Sequence, residues 1–280
     1  MRLKFTKMHG LGNDFMVVDG VRQKIFFSKE MIRRLADRHF GVGFDQLLLV
    51  EPPYDPELDF HYRIFNADGE EVQMCGNGAR CFVRFVTDHE LCRRREIKVS
   101  TMAGRLTLRL NPDDSVTVNM GHPVFDRAKI PLDTREEGPE YHLEFEGRKL
   151  PFYAVSMGNP HAVFPVSDID EATFKGVGEL LQQHPLFPER VNVGFVKKTA
   201  DNALTLRVFE RGCGETLACG SGACAAAVTC IEAGLVSSPV KVTLPGGTLE
   251  IAYRPERLGG SGEIIMTGPA TRVYEGSIEI

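Results

Sequence analysis

Two cysteines occupy matched places in this chain, each followed by Gly-x-Gly-Ala. Residues 63–79 read RIFNADGEEVQMCGNGA, and residues 207–223 read RVFERGCGETLACGSGA. The segments align without a gap. Arg, Phe, Glu, Cys, both glycines and Ala recur in register, and Ile64 is matched by Val208. The apolar residues ahead of each motif suit a strand, and the small-residue run after each cysteine suits a helix. Cys75 and Cys219 are therefore expected at helix starts, where unpaired N–H groups and the helix dipole favour a thiolate. Gly76, Gly78, Gly220 and Gly222 leave the local amides bare, so a carboxylate can approach them closely. Each motif thus offers a base and an anion cradle. Two close thiolates repel, so the pair is expected as one thiolate and one thiol. A thiolate that takes a proton from one face of a carbon, with a thiol returning one to the other, inverts that carbon. The amides would stabilise the enolate-like charge that develops.

Other readings of these residues are weaker. Cys81, Cys92, Cys224 and Cys230 read as buried structural thiols. No C-x-x-C occurs and the cysteine spacings fit no zinc pattern, so no metal is expected. Gly220 to Ala225 fits a dinucleotide fingerprint by letters, but no βαβ unit surrounds it. The polar neighbours differ between the repeats: Asn66 aligns with Glu210, and Ala67 with Arg211. A shared scaffold with different ligand groups suits an asymmetric substrate. Glu210 and Arg211 offer a carboxylate for an ammonium group and a guanidinium for a carboxylate; a solvated ion pair between them is the alternative. His161 follows Asn159-Pro160 and is either a tuner of a nearby thiol or a satisfied structural histidine.

The elements that must position these residues also repeat. Phe60, Tyr62 and Ile64 alternate as a strand, and Ala79, Phe82, Val83 and Val86 then mark one helical face. Leu204 to Phe209 and a helix from Gly222 to Ala233 follow the same order. Phe174, Val177, Leu180 and Leu181 mark a further helix, and Ser28 caps one carrying Met31, Ile32 and Leu35. Gly12-Asn13 parallels Gly158-Asn159, and the turn from Val99 to Gly104 parallels that from Val242 to Gly247. The order predicts an α+β, mostly antiparallel chain of two pseudo-symmetric halves, with the helix after Cys219 buried and wrapped by strands. The halves are expected at residues 1–119 plus 269–280, carrying Cys75, and at residues 120–268, carrying Cys219.

Composition narrows the partners. A net charge of −5 argues against nucleic acid and anionic membrane, which call for a basic footprint. Arg93-Arg94-Arg95 reads as a solvated turn. No apolar run approaches the ~20 residues of a membrane span, and the first residues lack a signal-peptide core. Seven cysteines in no disulfide-scaffold spacing suit a reducing cytoplasm.

At these residues the chain resembles the diaminopimelate epimerase family. The segments that carry the resemblance are Phe5 to Phe15, Gly43 to Gln46, Phe65 to Gly69, Cys75 to Cys81, Met157 to His161, Glu210-Arg211, Cys219 to Ala223 and Leu244 to Gly247. They span nearly the whole chain in family order. The resemblance implies two similar halves, each a mainly antiparallel, barrel-like sheet around a central helix, with the site in the cleft between them. It implies interconversion of LL- and meso-2,6-diaminopimelate, a precursor of lysine and peptidoglycan, without pyridoxal phosphate or metal. Carried over by motif, Cys75 and Cys219 are the acid/base pair. Asn13, Gln46, Asn66, Asn159, Asn192, Glu210 and Arg211 would contact substrate. The amides of Gly76, Asn77, Gly220 and Ser221 would hold the reacting carboxylate, and His161 and Glu210 would tune the thiols. The family also implies a homodimer. Cys213 stands where a small alanine-like residue is more usual, and Ala162 where a cysteine is common; neither is expected to cost activity. Two rivals share part of the pattern. A proline or hydroxyproline racemase-like enzyme uses the same two-thiol logic, but proline lacks the second charged end that Asn66, Asn159, Asn192 and Arg211 suit. A thiol redox sensor needs the cysteines but not the asparagines and glycines.

Overall fold

The computed structural model describes residues 1–72, 75–102 and 104–280. Gln73 and Met74 of the first motif, and Ala103 of the turn before Gly104, lie outside the described residues. The chain divides into two compact units, Met1–Asn119 with Thr267–Ile280, and Met120–Met266. The return to the first unit comes at Thr267, two residues earlier than expected from the sequence.

The first unit runs β1 (Arg2–Gly10), β2 (Asn13–Asp19), α1 (Lys29–Ala36), β3 (Gln46–Glu51), β4 (Phe60–Asn66), β5 (Glu71–Val72), α2 (Gly76–Asp88), β6 (Glu96–Thr101), β7 (Gly104–Leu110) and β8 (Val116–Asn119). The second runs β9 (Glu140–Phe145), β10 (Arg148–Ser156), β11 (Pro160–Pro165), α3 (Glu171–Leu181), β12 (Asn192–Ala200), β13 (Ala203–Glu210), β14 (Gly214–Thr216), α4 (Gly220–Glu232), β15 (Val240–Leu244) and β16 (Gly247–Tyr253). The boundary falls within β17 (Ile264–Gly268), and β18 (Thr271–Glu279) closes the first unit against β1.

The pairing repeats strand for strand. In the first unit β1–β2 and β3–β4 are antiparallel, while β2–β3 and β4–β6 are parallel. In the second, β10–β11 and β12–β13 are antiparallel, while β11–β12 and β13–β15 are parallel. Gln46 opens β3 opposite Asn66, and Phe15 lies beside Gln46. In the second unit His161 lies beside Asn192, which opens β12. The β1–β2 hairpin turns on Leu11 and Gly12, with φ values of 58° and 92°. A two-residue turn of this kind needs positive φ at both positions, which glycine adopts without strain.

Each unit wraps its sheet around one helix. α2 packs against β1, β2, β3, β7, β8 and β18, and α4 against β10, β11, β12, β13, β15 and β16. The apolar stripe of α2 is fully buried, including Ala79, Phe82, Val83 and Val86. In α4 the run Ala223 to Val228 is buried throughout, because alanines admit strands on every side. α4 begins at Gly220, two residues ahead of the expected start, so Cys219 directly caps it. Leu180 was expected on the buried face of α3 but is exposed; Phe174, Val177 and Leu181 fill the core instead. Among the described residues no helix is long and apolar enough to cross a membrane.

Candidate active site

The two thiols occupy the same backbone position. Cys75 is the N-cap of α2 with φ −135° and ψ 119°, and Cys219 is the N-cap of α4 with φ −129° and ψ 109°. Each extended residue turns straight into a helix, and its carbonyl accepts the first helical bond, from Ala79 at 2.9 Å and from Ala223 at 3.0 Å. The amides between cysteine and alanine belong to the first turn, which has no intrahelical partner to offer them. The second glycine of each motif is there for packing. A Cβ on Gly78 would lie 3.0 Å from Ile64 Cδ1, and one on Gly222 would lie 3.0 Å from Val208 Cγ2. The helix therefore starts hard against the strand that precedes it. A bidentate ion pair braces the strand hairpin ahead of each motif: Arg63 on Glu71 at 2.7–2.9 Å, and Arg207 on Glu215 at 2.7 Å. These are the repeated Arg and Glu of the aligned segments, and their part is structural.

Around Cys75 the neighbours are amides. The thiol donates to Asn13 Oδ1 at 3.6 Å, and Asn77 Nδ2 donates to the same oxygen at 3.2 Å. Asn13 Nδ2 in turn donates to Asp45 Oδ2 at 3.0 Å. Behind Asp45 stands a charged network that the sequence reading missed. Arg38 grips Asp14 with both Nη atoms at 2.8–2.9 Å and reaches Asp45 Oδ1 at 2.7 Å. Lys7 bonds Asp14 Oδ2 at 2.6 Å and also the Gly43 carbonyl. Burial pushes the Asp14 carboxyl up, but the hydrogen bonds from Arg38 and Lys7 outweigh it and hold the group well below the usual carboxylate range. Asp14 and Asp45 lie inside the segments quoted for the resemblance, one next to Asn13 and one next to Gln46, so position alone could have flagged them. Gln46 and Asn66 form a separate pair, with Gln46 Nε2 donating to Asn66 Oδ1 at 2.9 Å. Gln46 Oε1 is buried with no partner, an acceptor still available to a ligand.

Around Cys219 the neighbours are a carboxylate and a hydroxyl. The buried thiol donates to Glu210 Oε2 at 3.0 Å and lies 3.6 Å from Ser221 Oγ. Thr216 Oγ1 donates to Glu210 Oε1 at 2.5 Å and fixes the carboxylate. The helix start was expected to lower the thiol pKa. The opposite holds for Cys219: burial first, then the charge and hydrogen bond of Glu210, push it well above the ordinary thiol range. The Ser221 hydroxyl and the Gly222 amide pull the other way and are outweighed. A helix dipole acting within one turn is outweighed by burial of the sulfur together with the Glu210 carboxylate in contact with it.

His161 does not touch a thiol. Its Nε2 lies 3.0 Å from Asn159 Oδ1, and Asn159 Nδ2 donates to Ser221 Oγ at 3.4 Å. His161 thus reaches Cys219 only through Asn159 and Ser221. Burial, with the Arg211 charge adding to it, pushes its pKa down to about 3, so the ring is neutral. Asn192 Nδ2 donates to the Pro160 carbonyl at 3.0 Å, and its Oδ1 accepts from the Arg211 amide at 3.0 Å. The Arg211 side chain is exposed and donates to the Glu189 carbonyl at 3.3 Å. The alternative of an ion pair between Glu210 and Arg211 is not realised: Glu210 faces the thiol while Arg211 turns outward. Among the described residues no group of three or more His, Cys, Asp or Glu is placed to hold a metal ion.

Solved structures share this fold. A probable proline racemase from Agrobacterium radiobacter, with bound carbonate, is 16% identical with a TM-score of 0.71, covering 99% of this chain and 93% of that one. A hydroxyproline epimerase from Agrobacterium vitis, with bound trans-4-hydroxy-L-proline, is 16% identical with a TM-score of 0.69, covering 99% and 91%. A Bacillus anthracis phenazine biosynthesis protein of the PhzF family is 18% identical with a TM-score of 0.67, covering both chains in full. At these identities the likeness concerns the fold. The family described as diaminopimelate epimerase matches residues 5–125 and 153–273, one stretch for each repeat and each with its helix-start thiol. With both repeats matched, the chain belongs to the diaminopimelate epimerase family, a family of isomerases.

Proposed function

We propose that this protein interconverts LL- and meso-2,6-diaminopimelate by proton transfer between Cys75, Cys219 and the substrate α-carbon, with no pyridoxal phosphate or metal. The observation that carries the reading is the pairing of two matched helix-start thiols with unmatched polar surroundings. Matched thiols suit inversion, which treats two faces of one carbon alike. Unmatched surroundings suit a substrate with a second charged end that is held while only the first reacts.

In the free protein both sulfurs face acceptors, Asn13 Oδ1 and Glu210 Oε2. One must lose its proton before turnover. Glu210 stands in hydrogen-bond reach of Cys219 and can take that proton, while Thr216 holds the carboxylate in place. A thiolate then removes the α-proton, and the amides of Gly76, Asn77, Gly220 and Ser221 stabilise the enediolate-like carboxylate. The other thiol delivers its proton to the opposite face. Arg211, Asn66, Asn159 and Asn192 hold the distal amino-acid group, with Gln46 Oε1 as an acceptor for an ammonium hydrogen. The family expectation of a cytoplasmic homodimer belongs to the same proposal.

The test is turnover of LL-diaminopimelate in deuterated water. The meso product should carry deuterium at the inverted α-carbon, because the delivered proton comes from a thiol that exchanges with solvent. Product without deuterium would point to other chemistry. Turnover of proline or hydroxyproline, but not diaminopimelate, would favour the racemase-like reading, and turnover of none with reversible thiol oxidation would favour a sensor.

A further inference from the structure

The two amides beside Cys75 are each held from behind by a group that can play only one hydrogen-bonding role. Behind Asn13 stands the Asp45 carboxylate, which only accepts, and it takes Asn13 Nδ2 at 3.0 Å. Asn13 must therefore present its carbonyl oxygen to the sulfur. Behind Asn77 stands Arg80, fully buried, whose guanidinium only donates; its Nη2 gives to Asn77 Oδ1 at 2.9 Å. Asn77 must therefore present its NH2 to Asn13, as it does at 3.2 Å. Both anchors are themselves fixed. Asp45 and Asp14 bond each other's backbone amides at 3.1 and 2.8 Å, and Arg38 ties the two carboxylates together. Arg80 Nε donates to the Pro269 carbonyl at 3.0 Å. In the second unit the aligned positions are Val191 and Cys224, and Asn159 is held instead by His161 at its Oδ1 and by Ser221 at its Nδ2.

We infer that Asp45 and Arg80 are positioning residues that fix the amide directions of Asn13 and Asn77, so that Asn13 turns its carbonyl oxygen, and not its NH2, to the Cys75 sulfur. A carbonyl can accept from a thiol and offers nothing to a thiolate, so this arrangement favours the protonated form. Tyr62 and Cys81, both fully buried, feel the Cys75 charge, and at Cys81 the Arg80 charge opposes it. The inference matters most if Cys75 is an acid/base group as proposed above, but its test does not depend on any substrate.

The test is the pH dependence of iodoacetamide alkylation, read at each cysteine by mass spectrometry, with Cys219 as internal reference. Asp45→Asn keeps the side-chain volume but can donate, which lets Asn13 turn its NH2 to the sulfur. Asp45→Ala frees the same turn. In both variants the Cys75 midpoint should fall by about one pH unit, the Asn77 contact limiting the shift. Asp45→Glu, still acceptor-only, should leave the midpoint near that of the unaltered protein. Mere loosening would speed alkylation at every pH without moving the midpoint. An unmoved midpoint in folded Asp45→Asn and Asp45→Ala proteins, or an equal shift at Cys219, would overturn the inference. Turnover of diaminopimelate by the unaltered protein, assayed separately, reports on the functional reading alone.

Discussion

The surroundings of Cys75 and of Cys219 share a skeleton and almost no polar chemistry. Both cysteines cap a helix at nearly the same φ and ψ, both helices start against the preceding strand through a glycine, and both hairpins carry the same Arg–Glu brace. Yet Asn66 becomes Glu210, Phe15 becomes His161, Gln46 becomes Asn192 and Asp45 becomes Val191. The first unit carries its charges as a Lys7–Asp14–Arg38–Asp45 network behind an amide, and the second places a carboxylate directly on the sulfur. What is kept depends on strand register and close backbone packing, which tolerate little change. What diverges lies at or near strand ends, and part of it is buried: Phe15, His161, Val191 and Asn192 are all 2% exposed or less. The duplication thus preserves the place of the thiol and leaves the polar groups beside it free to differ between the halves.

The sharpest way to break this comparison is to remove either thiol. If the two are equal partners, Cys75→Ala and Cys219→Ala should each cut epimerisation by at least ~10³-fold, since each face needs its own group. Steady-state turnover of LL-diaminopimelate checks this. Near-normal rates in one variant would make its half a binding platform rather than a catalytic partner.

Next in size is the contact that most separates the halves. Glu210→Gln removes the negative charge beside Cys219 and keeps the shape. Glu210 is one cause that holds the Cys219 pKa up, so its loss must bring the alkylation midpoint down, by about one to two pH units. Turnover should still fall, by ~10²-fold, because the group that takes the thiol proton is gone. Asn66→Ala at the aligned position should leave the Cys75 midpoint in place, because Asn66 bonds Gln46 and not the thiol. A Cys219 midpoint that does not move in Glu210→Gln would assign the high pKa to burial alone.

The parts legible in the sequence are those that repeat. The strand order, the central helices and the matched thiols all follow from the aligned motifs and their periodicity. The parts that were not legible arise from distant pairings. Asp45 meets Asn13, 32 residues away, only because β2 and β3 run parallel. Arg80 has no role assigned from sequence, and it is buried with its donors on Asn77, Gly76 and a carbonyl in the returning C-terminal segment. The Cys219 pKa was misjudged for a related reason. The helix start is visible in sequence, whereas the placement of Glu210 against the sulfur depends on the β13–β14 hairpin folding back.

The smallest effect tests the feature the halves share most closely. Replacing either second glycine with alanine adds one methyl group at the helix start. Helix propensity alone would favour the change by up to ~1 kcal/mol. At Gly78 the new Cβ would meet Ile64 Cδ1, Phe15 Cε1 and Leu48 Cδ1 at 3.0–3.4 Å, all tips of side chains that can shift. Gain and strain should nearly cancel there, leaving Gly78→Ala within about 1 kcal/mol of the unaltered protein. At Gly222 the new Cβ would meet Val208 Cγ2 at 3.0 Å, and Cys219 Sγ and Cβ at 3.2 and 3.3 Å. Val208 is β-branched and stiff, and Cys219 Cβ sits on the adjoining backbone, so neither yields easily. Gly222→Ala should therefore lose about 1–2 kcal/mol in urea melts and displace the Cys219 sulfur from Glu210. That displacement should show as a lower alkylation midpoint at Cys219, with Cys75 unmoved. Equal melting and alkylation behaviour in the two variants would mean that the glycines serve backbone geometry alone, and that the tight contact at Cys219 does not help set the state of its thiol.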